Sequence, residues 1–213
     1  MKIGVIGSGV VGRTLAAGFL KYGHAVTIGT RDPDKLKDWA AEHKGARVAG
    51  FAEAAAFGEV VVLAVAGAAA LDALKLIGAA NLDGKTVVDA TNPIGDAPPV
   101  HGVLSFFTSP GESLMERLQR ACPNARFVKA LNSVGAAYMV DPDFGGVRPT
   151  MFICGDHEGA KRIVAKLLDD FGWETADMGA IEAARAIEPL CMLWCIPGFA
   201  HGDWSPRAFK LLR

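Results

Sequence analysis

Six residues near the start of the chain, Gly7-Ser8-Gly9-Val10-Val11-Gly12, have types and spacing suited to holding an anion against backbone. Each glycine has its own steric role. Gly7 permits a tight turn, Gly9 lets a pyrophosphate approach the main chain, and Gly12 lets a helix pack closely on a strand. A helix opening here would present unpaired N–H groups and a partial positive charge to phosphate oxygens. The motif follows an apolar strand directly, which is the context that gives a GxGxxG spacing its meaning. The chemistry indicated is dinucleotide binding.

A second group lies about twenty residues on. Strand Ala25-Val26-Thr27-Ile28-Gly29 runs into Thr30-Arg31 with no acid at its tip. An acid there would accept from both ribose hydroxyls, whereas a hydroxyl and a guanidinium suit a 2′-phosphate. Lys35, one turn into the next helix, adds a third contact, and the reading is NADPH rather than NADH. Asp32 stands at the distance where a ribose acid is often found, but it reads as the N-cap of a helix starting at Pro33. Three further strand ends face the same edge of a parallel sheet: Ala64-Val65-Ala66-Gly67, Asp89-Ala90-Thr91-Asn92-Pro93 and Lys129-Ala130-Leu131-Asn132-Ser133. Small residues around Ala64 and Val65 let a dinucleotide lie close. The amides of Asn92 and Asn132 suit the ribose or the carboxamide, or else their own turns.

Other conspicuous residues have plainer readings. Cys191 and Cys195, one turn apart, read as core thiols, because His201 leaves a metal without a fourth ligand. Arg185 and Glu188, at i and i+3, read as a helix-surface pair. His101 reads as a solvated loop histidine, and Trp194, Phe199 and Trp204 suit either an acceptor pocket or a homodimer contact. A dehydrogenase acting on an alcohol needs a positioned acid or base, and no Ser-Tyr-Lys or His-Asp device stands at these strand ends. Hydride transfer between two flat rings needs none, since the protein has only to hold the rings face to face.

These groups need a scaffold. Strands are expected at residues 2–6, 25–29, 46–48, 60–65, 86–89, 126–129, 150–154 and 174–177. Helices are expected at 11–22, 33–43, 51–57, 68–77, 111–121, 157–171 and 180–194. The alternation predicts a Rossmann-type, doubly wound α/β fold with a mostly parallel sheet of about eight strands and helices on both faces. Asp156 is expected to cap the helix at 157 and Gly172 to end it. Residues 91–110 form one long irregular piece of the kind that usually serves function. The whole of 1–213 reads as a single domain, with 197–213 a tail packed on it that ends in a turn or two of helix over 206–212.

Composition agrees. The chain has 213 residues, 51% hydrophobic and 21% charged, with formal net charge −1, so neither disorder nor a general attraction to nucleic acid or anionic membrane is expected. Four scattered cysteines, no run of about 20 apolar residues, and a strand beginning at once after Met1 predict a cytoplasmic protein with free thiols and no metal.

The chain resembles the NADPH:coenzyme F-420 reductases over nearly its whole length. The likeness is carried by Gly7 to Gly12, Gly29-Thr30-Arg31, Asp89-Ala90-Thr91-Asn92-Pro93, Lys129-Ala130-Leu131-Asn132 and the helix over 182–194. It is also similar to the oxidoreductase domain of the STEAP metalloreductases, which moves hydride from NADPH to a flavin. The resemblance implies that Ser8 to Val11 face the pyrophosphate, that Thr30, Arg31 and Lys35 face the 2′-phosphate, and that Val65 faces the adenosine or ribose. It implies an F-420 or flavin-type acceptor near Asn92, Asn132 and the late helix. The 94–110 loop, with His101, Phe106 and Phe107, departs from that family's compact pattern, as does the Trp-containing tail. An imine or carbonyl reductase on the same scaffold and a non-catalytic NADP(H) sensor are the alternative readings.

Overall fold

In the computed structural model, which describes residues 1–212, strands β1 (Lys2–Ile6), β2 (Ala25–Gly29), β3 (Arg47–Ala49), β4 (Val60–Leu63), β5 (Thr86–Asp89) and β6 (Arg126–Lys129) form a parallel sheet in the order β3-β2-β1-β4-β5-β6. Helices α1 (Val10–Lys21), α2 (Lys37–Glu42), α3 (Phe51–Phe57), α4 (Ala70–Ile77) and α5 (Leu114–Ala121) supply the connections among these strands. Strand residues alternate between two cores. Val60 and Val62 pack with Leu15 and Phe19 of α1, while Val61 and Leu63 pack with Ala54 of α3 and Leu74 of α4. A sheet buried on both faces needs such unbroken apolar runs, which explains Val-Val-Val-Leu in β4.

The eight expected strands all form, but not in one sheet. Strands β7 (Thr150–Ile153) and β8 (Glu174–Asp177) pair in parallel as a separate two-stranded sheet. Among the described residues one antiparallel bridge, with Lys129 N donating to Cys154 O at 3.0 Å, links the end of β6 to the end of β7. Helix α6 (Glu158–Asp170) connects β7 to β8, and α7 (Ala184–Ile187) and α8 (Pro189–His201) follow β8.

Several boundaries differ from the expectation for identifiable reasons. Helix α5 begins at Leu114 rather than at 111, because Ser113 and Glu116 form a reciprocal capping box. His157, not Asp156, caps α6, and Asp156 instead accepts from Ile181 N. The single late helix over 180–194 is divided at Pro189, which has no N–H to donate, and α8 runs on to His201. The tail over 206–212 is not helical. It lies extended beside β7, with Thr150 N donating to Phe209 O at 2.8 Å and Leu211 N donating to Thr150 Oγ1 at 3.0 Å.

Residues 91–110 are ordered as a narrow hairpin-like excursion. Gly95 N donates to Ser105 O, Phe107 N to Pro93 O, and Val100 and Val103 exchange both backbone bonds. Its tip rests on α8, where a Cβ at Gly102 would stand 2.8 Å from Cβ of Ala200.

The turn between β1 and α1 is tightly packed. Gly7 has φ +123°, and a Cβ added to Gly12 would stand 1.9 Å from the carbonyl oxygen of Gly7. A Cβ at Gly9 would meet nothing within 4 Å. Gly12→Ala is therefore expected to cost at least about 1–3 kcal/mol in urea denaturation through overpacking. Gly9→Ala should cost about 1 kcal/mol or less.

Candidate functional site

Strand order reverses between β1 and its neighbours β2 and β4, so their carboxyl ends diverge and leave a crevice where ligands of such sheets bind. A cleft of about 300 Å³ occupies this place, lined by Gly7, Ser8, Gly9, Thr30, Arg31, Lys35, Ala64 and Val65 among others. It continues past Val65 and Ala66 into a second stretch of about 390 Å³, bounded by Gly67, Ala90, Thr91, Asn92 and Asp96. The two stretches make one groove along the carboxyl edge, from the tip of β2 to the tip of β5.

The β1 end of the groove is built for backbone contact. Gly9 is the N-cap of α1 and supplies no side-chain cap, so the first N–H groups of that helix stay available beside Ser8, Val10 and Val11. Thr30 is buried, and its hydroxyl lies 3.1 Å from Ser8 Oγ while accepting from Asp32 N. That bond bends the chain after β2 and leaves Arg31 exposed on the cleft wall, with no ion pair among the described residues. Lys35 reaches Asp32 only at 3.9 Å, and Asp32 spends one carboxylate oxygen on Asp34 N as the cap of the Pro33–Leu36 turn. An anion near Arg31 would thus meet one unpaired guanidinium and one loosely held ammonium.

At the β5 end, Asn92 and Asn132 hold each other. Asn92 Nδ2 donates to the Asn132 carbonyl at 2.8 Å, and Asn132 Nδ2 donates to Asn92 Oδ1 at 3.1 Å and to Ile187 O at 3.0 Å. Asn92 faces the groove, Pro93 is buried and accepts from Phe107 N at the loop's neck, and Asn132 is buried with its Oδ1 unpartnered.

Beneath this end lies a charge cluster that motif reading does not single out. Lys129 has no exposed side-chain surface, and its Nζ lies 2.7 Å from Asp89 Oδ2, 2.9 Å from Glu188 Oε1 and 2.9 Å from Thr91 O. Asp89 Oδ1 also accepts from Thr91 N and Oγ1, and Glu188 accepts from Leu114 N and Met115 N at the start of α5. Burial alone would lower the ammonium's pKa, but Asp89 and Glu188 outweigh it and hold the pKa above its usual value. Burial pushes the neighbouring Cys154 thiol up to about 12.

The surface pair expected between Arg185 and Glu188 does not form. Glu188 turns inward to Lys129, and Arg185 reaches across to Glu116, with Nε 3.0 Å from Oε2 and Nη2 2.5 Å from Oε1. Helical spacing permits an i,i+3 contact, but a buried ammonium attracts a carboxylate more strongly than an exposed guanidinium does. The one sequence signal for the cluster was opposite charges, Asp89 and Lys129, at the ends of two apolar strands. In the sheet these two are register partners.

The remaining aromatic residues sit at the junction of α8 and the tail. Trp194 donates Nε1–H to Arg207 O and covers Gly135, while Trp204 lies across Gly198 and meets Phe199 edge-on. Cys191 is buried and its thiol is raised by its hydrogen bond to Cys195 and by burial. Among the described residues no group of three or more His, Cys, Asp or Glu is placed to hold a metal ion, and no helix is long and apolar enough to cross a membrane.

This is a dinucleotide-binding α/β fold with its groove at the switch point, and comparison with known proteins agrees. Residues 2–93 match the family described as NADP oxidoreductase, coenzyme F-420-dependent. A structure from Arthrobacter sp. FB24, proposed as an F-420-dependent NADP-reductase, is 39% identical, with each chain covered over 100% of its length and a TM-score of 0.93. The chain belongs to this NADP oxidoreductase family. Rat Metalloreductase STEAP3 is 31% identical over 201 residues, 92% of this chain, which spans 38% of that protein's length. A reductive aminase from Aspergillus terreus, in complex with NADPH and ethyl levulinate, shares the fold at 20% identity, with 94% of this chain and 62% of that chain covered and a TM-score of 0.68.

Two outcomes follow from the charges. Lys129→Met leaves two carboxylates buried around an apolar end, so urea denaturation should show a loss of about 3–5 kcal/mol. Glu116 is held down to about 2, chiefly by Arg185, from a usual value of 4.5. A depressed carboxyl stabilises the fold above its unfolded pKa, and that stabilisation is lost as pH falls toward the folded value. The stability gap between the wild type and Glu116→Gln should therefore be full near neutrality and narrow between pH 4.5 and about 2.

Proposed function

We propose that the chain passes hydride between NADP(H) and a flat F-420 or flavin-type acceptor laid against the groove. The observation that carries this is the groove itself. Its β2 end carries unpaired Arg31 beside Thr30, and its β5 end has small and amide-bearing walls with Asp96 as the one titratable side chain. When bound, NADPH supplies the hydride and the acceptor ring takes it, so the protein has to bind and orient the two.

In this reading Gly7, Ser8, Gly9, Val10, Val11 and Gly12 receive the pyrophosphate on the free N–H groups of α1. Thr30, Arg31 and Lys35 hold the 2′-phosphate. Ala64 and Val65 form the wall against the ribose, and Asn92, Pro93 and Asn132 shape the floor under the nicotinamide. Residues 1–213 act as one domain, in which the expected tail over 197–213 starts inside α8, and the described chain after His201 braces that helix through Arg207 O and Trp204. A reducing, cytoplasmic setting is supported by four free cysteines, and a homodimer by the exposed Leu193, Phe199 and Trp204.

Mixing the protein with NADPH and F-420, FMN or FAD should consume the reduced nicotinamide absorbance with at least one of them. Turnover of a cyclic imine or a carbonyl compound in place of all three would sink the ring-to-ring reading. Binding without any turnover would leave a sensor. Arg31→Ala should weaken NADPH by about 1.5–3 kcal/mol and leave NADH nearly unchanged, as calorimetry can show. Equal losses for both would remove the 2′-phosphate assignment.

A further inference from the structure

The segment from Thr91 to Ser113 lines the β5 end of the groove with its first residues, Thr91 to Asp96, and it is anchored at both ends by one buried cluster. At its entry, Lys129 Nζ donates to Thr91 O, and Asp89 Oδ1 accepts both Thr91 N and Thr91 Oγ1. Just past its exit, Leu114 N and Met115 N donate to Glu188, 2.9 and 3.0 Å away. The two carboxylates share one ammonium, so the two ends of the segment are tied through Lys129 Nζ.

Between its ends the segment is internally braced by the Gly95–Ser105, Pro93–Phe107 and Val100–Val103 bonds and rests through Gly102 on α8. Pro189, the first residue of α8, follows Glu188 directly. A braced segment with two fixed ends moves as a body, and the helix that supports its tip starts from the same carboxylate.

We infer that Lys129 and Glu188 are positioning residues that set the distance of the 91–113 wall, and of α8, from the groove, and thereby the acceptor's fit. A catalytic part is not available to Lys129: each of its three ammonium protons has a partner, and its side chain has no exposed surface. The effect reaches the acceptor through the wall. The pyrophosphate and 2′-phosphate end, which carries most of the dinucleotide's charged contacts in this reading, is untouched, because the cluster shares no residue with the Gly7–Arg31 cleft.

The inference rests on the hydride-transfer reading, and the test separates the two. Glu188→Gln keeps the size of the side chain and leaves Lys129 paired with Asp89. In the full chain loaded with NADP+, hydrogen exchange at the amides of residues 91, 92, 94–96, 114 and 115 should speed by about tenfold or more, while those of β1 and β2 stay protected. NADPH affinity should hold within about threefold, and the KM for F-420 or FMN should rise about tenfold with kcat little changed. Unchanged exchange at those amides overturns the inference, and so does an equal loss across every strand or an equal loss of NADPH binding. If the wild-type chain turns over neither F-420 nor FMN, the hydride-transfer reading falls, and the exchange pattern still decides whether the cluster sets the wall.

Discussion

Removing an ammonium group wholly from water costs several kcal/mol, and in this chain the site that bears the cost is at the working edge of the sheet. Lys129 lies at the carboxyl end of β6 with Asp89 beside it at the end of β5, and Glu188 closes the triad from the junction of α7 and α8. Two carboxylates against one ammonium leave an excess negative charge. Backbone donors relieve it: Thr91 N on one acid, and the first N–H groups of α5 on the other. The cluster requires four parts of the fold, β5, β6, α5 and α8, to meet at one point, and the path of the chain after β5 follows from that requirement.

The other half of the edge obeys a different constraint. Around β1 the limit is steric rather than electrostatic, since helix α1 approaches the strand so closely that only hydrogen fits at Gly12. Close backbone packing, found at the other end too where Gly67 meets Asn92 O, and charge neutralisation by the Lys129 cluster give the groove two kinds of wall. One is rigid backbone that can meet phosphates directly, and the other is set by side chains reaching across long stretches of sequence.

That difference explains what could be read from the sequence. The β1 turn, the Thr30-Arg31 tip, the Asp32 cap and the buried strands are local features, and their residues stand within one strand, turn or helix of each other. Lys129 and Glu188 are separated by 59 positions and Asp89 by a further 40, counting from the residue numbers, and no periodicity links them. Spacing instead paired Glu188 with Arg185, which was wrong because burial outranks proximity along a helix. Capping residues followed the same rule. Asp156 had the right chemistry for the start of α6, but Ile181 N claimed its carboxylate, and His157 took the cap. The apolar run of eight strands was legible, yet their division into six and two was not, because a single bridge decides it.

The tail has a consequence of its own. Strand β7 pairs with β8 on one side, while its other side meets the end of β6 through Cys154 and the extended tail through Thr150. Without the tail, the start of β7 would present open backbone donors and acceptors to solvent, and such an edge recruits strands from other chains. Lys210 reinforces the closure by donating to Arg148 O and pairing with Glu174. The last residues of the described chain thus cover the start of a strand edge that would otherwise stand open, at a place remote from the residues that line the groove.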